Sequence, residues 1–194
     1  MNAYDFDNTI YDGESIFDFF LFSLKKDIWL IKFLPIVLFR LIEYKLNLLK
    51  IEKIYKTVEM IINSFLKHSN FDYDGLIEQF WKKNYKKLKP EFLKMLKKND
   101  LIITGCPNFL INYVKKDLKV KNIICTEFDI KNRKIDFICF GDNKVKAFKE
   151  KYKNKKINKF YTDSLSDIPF MKLADEIYFV NKDKIRKINK TKYF

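Results

Sequence analysis

The stretch Ala3-Tyr4-Asp5-Phe6-Asp7-Asn8-Thr9 joins a short apolar run to two closely spaced carboxylates. An apolar run of this kind suits a buried first strand, and ligands of open parallel sheets gather at the carboxyl ends of the strands. Residues i and i+2 of an extended chain project to the same side, so Asp5 and Asp7 can face one substrate. Carboxylate pairs also occur on plain surfaces, but the strand in front of this one favours a site. Tyr11-Asp12-Gly13 then reads as a turn.

Outward from this stretch the pattern changes twice. From Glu14 to about Tyr85 the apolar residues fall at helical spacing, as in Ile54, Val58, Ile61, Ile62 and Phe65 and again in Ile77, Phe80 and Trp81, which predicts an insertion of roughly four helices. A helix over Lys89 to Lys98 follows, with Pro90 and Glu91 in its first turn. Strand and helix then alternate. Strands are expected at Leu101 to Ile103, Asn122 to Thr126, Ile157 to Tyr161 and Ile177 to Val180. Helices are expected from Pro107, from Asp142 to Lys153 and near Ile168 to Leu173, with a hairpin across Phe128 to Phe140 that turns at Lys131-Asn132-Arg133. The alternation predicts an α/β fold with a parallel sheet. Residues 1–13 and 88–194 would form the core, and 14–87 a helical domain inserted after the first strand.

Four separated elements fall at the expected strand ends: Asp5 with Asp7, Thr104 with Gly105, Lys144, and Asp163 with Asp167. Each alone is weak. Thr104-Gly105 could be an ordinary strand-to-helix turn, Lys144 one more solvated lysine, and Asp163 or Asp167 a helix N-cap. Their order is what tells, and three of the four glycines, Gly13, Gly105 and Gly141, sit beside them. Attack by a carboxylate on a phosphate dianion is opposed by the repulsion of two anions in a low-dielectric site. A divalent cation and a lysine would offset it, and Asp163 and Asp167 offer the oxygen ligands that a hard cation needs. The Thr104 hydroxyl and the Gly105 N–H could hold a phosphate oxygen.

Composition excludes several other classes. The hydrophobic fraction of 47% and aromatic fraction of 17% do not fit disorder. A net charge of +14 suits a polyanion, but 36 of the 39 basic residues are lysines, and the arginines are only Arg40, Arg133 and Arg186. Nucleic-acid interfaces lean on arginine for bidentate contacts, so a nucleic-acid partner is not expected. Cys106, Cys125 and Cys139 form no Cys-x-x-Cys pair, which argues against zinc and against a disulfide framework. Cys106, next to Gly105, reads as a small buried thiol. The single histidine, His68, is expected at the surface near a helix end, and a mechanism built on histidine would rest on it alone. No signal peptide is apparent, so a reducing cytoplasm is the expected location.

Taken together, Asp5-Phe6-Asp7-Asn8-Thr9, Thr104, Lys144 and Asp163-x-x-x-Asp167 resemble the four motifs of the haloacid dehalogenase superfamily, over essentially the whole chain. The helical block resembles the cap of its phosphoserine-phosphatase-like branch. The resemblance implies a Rossmann-like core in which Asp5 forms an aspartyl-phosphate and Asp7 serves as general acid and base. It further implies a Mg²⁺ held by Asp5, the Asp7 backbone carbonyl and Asp163, with Asp167 in or near the next shell, and a phosphoryl group gripped by Thr104 and Lys144. Glu14 stands nine residues after Asp5, where phosphoserine phosphatases carry a glutamate that reads the amino group. No cap arginine matches the one that binds serine's carboxylate in those enzymes, and Tyr44-Lys45-Leu46-Asn47-Leu48 is only faintly similar to that segment. Ile103-Thr104-Gly105-Cys106-Pro107, Cys139-Phe140-Gly141-Asp142-Asn143-Lys144-Val145 and Tyr161-Thr162-Asp163-Ser164 look similar to bacterial phosphatidylglycerophosphatases of the superfamily.

The apolar segment Ile28 to Ile42 contains only Lys32 and Arg40 as charges, and its longest uncharged run, Phe33 to Phe39, is interrupted by Pro35. That is far below the roughly 18 residues needed to span a bilayer. Two readings stay open: the segment packs inside the helical domain, or it lies at a membrane interface with lysines against anionic head groups. The leading expectation is a phosphomonoesterase acting on a membrane-associated lipid phosphate. A soluble phosphatase for a small phosphorylated metabolite and a catalytically silent module on an anionic surface are the alternatives.

Overall fold

The computed structural model describes the chain except residues 47, 49, 51, 52, 54, 55, 62, 63, 65–72, 133, 154 and 191–194. His68, Ile54, Ile62, Phe65, Asn47 and Arg133 therefore lie outside the described residues. Seven strands form one sheet in the order β4-β3-β2-β1-β5-β6-β7. They are β1 (Ala3–Tyr4), β2 (Leu101–Pro107), β3 (Asn122–Asp129), β4 (Lys134–Phe137), β5 (Ile157–Thr162), β6 (Ala174–Asn181) and β7 (Lys184–Ile188). The five inner strands are parallel, and β4 and β7 close the two edges antiparallel. The fold is α/β, as the alternation predicts.

Strand β1 sits in the middle because both its faces are apolar. Ala3 pairs with Leu101 and Phe160, Tyr4 with Ile102 and Tyr161. The pleat sends Ala3, Leu101, Ile103 and Phe160 into one buried cluster and Tyr4, Ile102 and Tyr161 into another. Tyr4, Tyr161 and Tyr178 stack in a row across β1, β5 and β6 at centroid spacings of 4.7 and 4.8 Å. Burial on both faces is the condition under which parallel strands are stable. The chain steps from β1 outward through β2 to β3 and then returns to β1's other side for β5, so the order reverses at β1. A crevice opens at such a switch point, beyond the strands' carboxyl ends.

The described α-helices are α1 (Ser15–Leu24), α2 (Leu34–Lys45), α3 (Tyr73–Asn84), α4 (Pro90–Met95), α5 (Asn108–Leu118), α6 (Asp142–Tyr152) and α7 (Ile168–Met171). Helix α3 buries Leu76, Ile77, Phe80 and Trp81, and α5 buries Leu110, Ile111, Val114 and Leu118. These stripes meet on the Tyr4 side of the sheet, where Trp81 Nε1 donates to the Leu110 carbonyl at 3.0 Å. Each such buried apolar side chain contributes about 1.5–3 kcal/mol. The opposite side is covered by α6 and α7 through Phe148, Phe170 and Met171.

Three boundaries differ from expectation. Helix α4 stops at Met95 rather than Lys98, because Asp100 turns the chain: its carboxylate accepts from the Lys97 and Asn2 amides at 3.0 and 3.1 Å. Strand β2 runs on to Pro107, with a register shift against β3 after Ile103, so Thr104 lies within the strand. Strand β7 was not expected, since Lys184-Ile185-Arg186-Lys187-Ile188 carries the charges of a loop. Charged residues are one device that protects a sheet edge, and this strand is such an edge.

Candidate active site

Asp5 leaves β1 with its amide donating to the Tyr161 carbonyl at 2.8 Å, so the ladder to β5 fixes its backbone. The chain then folds sharply. The Thr9, Ile10 and Tyr11 amides all reach the Phe6 carbonyl, the Asn8 amide reaches the Gly13 carbonyl, and Asn8 takes a left-handed φ of 53°. Gly13, at φ 139°, closes this loop where a Cβ would come within 2.8 Å of Asp18 Oδ2. The fold-back turns Asp7 toward the start of α1, and its Oδ1 accepts the Ser15 amide at 2.8 Å. A carboxylate at that position satisfies one orphan donor of the helix N-terminus.

Lys144 is drawn inward by its place on α6, four residues before buried Phe148 on the same face. It is 3% exposed. Its Nζ lies 3.0 Å from Asp5 Oδ1 and 2.6 Å from Asp167 Oδ1, the latter an ion pair without hydrogen-bond alignment. Burial pulls the Lys144 pKa down, but Asp167 and Asp5 outweigh it, and the net shift is upward. The Thr162 hydroxyl donates to Asp167 Oδ2 at 2.7 Å and accepts the Ser164 amide at 3.1 Å, which locks the turn after β5. The Thr104 hydroxyl oxygen accepts the Cys106 amide at 3.0 Å, leaving its proton to be donated elsewhere. A Cβ on Gly105 would meet only the Cys139 carbonyl, at 3.7 Å, so space alone does not demand glycine there.

Asp5, Asp7, Glu14 and Asp163 crowd this centre together with Asp167 and Lys144, and the acidities of the first four reflect it. Burial, opposed by Lys144, pushes Asp5 up to about 6. Asp7 is held well above the carboxylate range by burial and then by Glu14. Glu14 rises to about 7 through burial and Asp163, and Asp163 to about 8 through burial, Asp5 and Asp167. Asp163 Oδ1 is buried with no partner. An orphaned carboxylate oxygen in a site with surplus negative charge fits a hard divalent cation. Among the described residues no group of three Asp, Glu, His or Cys is placed to hold a metal ion unaided.

A cavity of about 290 Å³ extends from this centre, touching Asp5, Asp7, Glu14, Thr104, Gly105, Lys144 and Asp167. Away from the carboxylates its walls are apolar, with Phe17, Phe20, Leu30, Val37 and Leu41 on one side and Phe128 and Ile138 on the other. Asp163 faces a separate, more polar cleft with Asn8, Asp12 and Lys182. Glu14 Oε1 accepts from Asn8 Nδ2 at 2.7 Å. Arg40 also borders the cavity, but Glu43 and Thr57 hold its guanidinium. Sequence reasoning passed over Thr162, Tyr44, Ser164 and Arg40, all of which position or line the site. Thr162 was open to inference as the last inward residue before Asp163; Tyr44 had only a faint segment likeness, and nothing in the sequence marked Arg40.

A family model described as haloacid dehalogenase-like hydrolase matches residues 3–172. Among solved structures, the chain is similar to a protein of unknown function from Bordetella pertussis Tohama I, with 15% identity, a TM-score of 0.70, and coverage of 89% of this chain and 85% of that one. It is also similar to a phosphoserine phosphohydrolase-like protein from Francisella tularensis subsp. tularensis SCHU S4, at 17% identity and TM-score 0.57, over 91% and 86% of the two chains. A third is a phospho-aspartyl intermediate analogue of phosphoserine phosphatase, at 20% identity and TM-score 0.57, over 90% and 83%. At these identities the likeness is one of fold. No curated protein matches the chain.

Proposed function

The chain belongs to the haloacid dehalogenase-like hydrolase family, and on that premise we propose that it is a phosphomonoesterase that carries the phosphoryl group on Asp5. One observation supports this above all: Asp5, Asp7, Thr104, Lys144 and Asp167, from four separate stretches of chain, border one cavity at the sheet's switch point.

In the proposed reaction an Asp5 oxygen attacks phosphorus as the ester P–O bond breaks, and the departing oxygen takes a proton from Asp7. Asp7 suits this because burial and Glu14 shift its pKa upward, toward the range where it can give and take a proton, and the Ser15 amide fixes its orientation. Water then attacks the phosphorus of the aspartyl-phosphate, Asp7 takes the water's proton, and phosphate departs with Asp5 restored. Lys144, the Thr104 hydroxyl and the Gly105 amide are the proposed holders of the phosphoryl oxygens. Mg²⁺ would be held by Asp5, the Asp7 main-chain carbonyl and Asp163, with Asp167 beside it, and when bound it would offset the negative charge of carboxylates and phosphoryl group.

We take residues 14–87 as the cap that shapes the substrate, and the substrate as a lipid phosphate. The apolar walls of the cavity support a hydrocarbon tail; a small polar metabolite would leave them unused. The second reading, a small phosphoserine-like metabolite, draws on Glu14 and Arg40 bordering the cavity, but Asn8 and Glu43 already engage them.

With Mg²⁺ the enzyme is expected to hydrolyse p-nitrophenyl phosphate, and Asp5→Asn to abolish the activity. A panel holding phosphatidylglycerophosphate and lysophosphatidic acid beside phosphoserine separates the two substrates. An inert wild-type protein across that panel would overturn the enzymatic reading in favour of a silent binding module.

A further inference from the structure

Helix α2 carries apolar side chains on opposite sides. Val37 and Leu41 wall the cavity, whereas Leu38, Phe39 and Ile42 face outward, Phe39 at 53% and Ile42 at 56% exposure. The 3-10 turn before it, Ile28–Phe33, buries Leu30 and Phe33 and leaves Ile28 at 74% and Ile31 at 53% exposure. Leu46, just past the helix, extends the same line at i+4 from Ile42. An apolar helical stripe is ordinarily turned to the core, yet here a second one is turned to solvent.

The surroundings of that face are cationic. Lys25, Lys26, Lys32 and Lys45, on the same elements or directly beside them in the chain, are all exposed. The Lys32 ammonium lies 3.0 Å from the centroid of the Trp29 ring, and the whole chain carries +14. Lysine is depleted in the cores of protein–protein interfaces. An apolar stripe with an aromatic side chain and a lysine rim is instead the make-up of a helix lying in the head-group region of an anionic bilayer. No helix among the described residues is long and apolar enough to cross a membrane.

We infer that the outward face formed by Ile28, Ile31, Leu38, Phe39 and Ile42 docks on the surface of an anionic lipid bilayer. The inference goes beyond the phosphatase reading and does not need it, because the face is separate from the carboxylates. The other side of the same helix walls the cavity, so docking sets that wall against the lipid.

Sedimentation of the full chain with vesicles tests this. The wild type is expected to pellet with mixed phosphatidylglycerol–phosphatidylcholine vesicles at low salt, less so at high salt, and weakly with phosphatidylcholine alone. The double variant Phe39→Asp, Ile42→Asp should lower the bound-to-free ratio by about tenfold or more, while its hydrolysis of p-nitrophenyl phosphate in vesicle-free buffer stays at the wild-type level. Ile28→Asp with Ile31→Asp, on a different element, should give the same loss. Wild-type protein that binds neither vesicle overturns the inference, as does binding by both double variants equal to the wild type. A wild-type dimer that either double variant dissociates, with no vesicle binding, also overturns it and gives the face to a second copy of the chain. Inactivity toward every phosphomonoester would sink the enzymatic reading and leave the vesicle result standing.

Discussion

Replacing Lys144 by Met keeps much of the side chain's length and removes the one ammonium held between Asp5 and Asp167. Both carboxylates are buried, at 3.0 and 2.6 Å from that ammonium. Breaking a buried ion pair by removing one partner costs about 3–5 kcal/mol, because the other charge stays buried without compensation. For a domain of this size each kcal/mol lowers Tm by roughly 2–4 °C, which gives a drop of about 6–20 °C. The loss depends on pH in a definite direction. Without Lys144 the raised Asp5 pKa rises further, and an acid with a raised folded-state pKa gives stability that is complete below its unfolded value, near 4, and lost as pH rises through the folded value. The Tm deficit of Lys144→Met in EDTA should therefore be small at pH 5 and largest at pH 8. Thermal melts followed by circular dichroism at the two pH values measure it. A variant that melts within about 2 °C of the wild type at pH 8 would refute the reasoning, since Lys144 would then not be compensating the buried charges.

The wild type itself should behave similarly in EDTA. Asp5 at about 6, Glu14 at about 7 and Asp163 at about 8 all stand above their unfolded values, so its Tm should fall from pH 5 to pH 8. Mg²⁺ should restore more of it at pH 8 than at pH 5; an equal gain at both would count against a carboxylate-held cation. Asp163→Asn removes a carboxylate whose Oδ1 has no partner, and should raise Tm in EDTA at pH 8 while abolishing the gain from Mg²⁺, both visible in one set of melts. Thr162→Val deletes the donor to Asp167 and the acceptor of the Ser164 amide. It should cost about 1–3 kcal/mol in urea unfolding, and a change under about 0.5 kcal/mol would show that the turn is held elsewhere.

Much of the frame was legible because apolar runs long enough to be buried on both faces are uncommon outside parallel strands. Ala3-Tyr4 and Leu101 to Ile103 announced two of the three central strands, whereas Ile157 to Tyr161, interrupted by Asn158 and Lys159, followed from the strand and helix alternation; Asp5, Asp7 and Asp163 after β1 and β5 announced where a site would lie. Lys144 is a different case. Among 36 lysines nothing local marks it, and only its order relative to Asp5, Thr104 and Asp163 singled it out; its burial comes from sharing a helical face with Phe148. The charged edge strand β7 and the early end of α4 were hidden because antiparallel pairing and the Asp100 side-chain turn decide them rather than local pattern. In the segment Ile28 to Ile42, Leu30 and Phe33 turn inward, as packing inside the helical region requires, while Ile28, Ile31, Phe39 and Ile42 are exposed; docking of the exposed side on a membrane is the inference proposed above.

The central position of β1 also has a consequence for biosynthesis. Ala3 pairs with Leu101 on one side and with Phe160 on the other, so this strand leaves the ribosome well before either neighbour exists. At about 5–20 residues per second, the 157 residues that separate Ala3 from Phe160 take roughly 8–30 s to be made. Until Leu101 is made, the apolar strand and the helical stretch behind it have no sheet to join, and until Phe160 is made one side of the strand stays unpaired, which exposes the nascent chain to misassembly. The Asp5 backbone is fixed only when the Tyr161 carbonyl arrives to accept its amide. Ribosome-bound chains stalled before that residue should therefore lack an ordered catalytic centre, however much of the helical region they already contain.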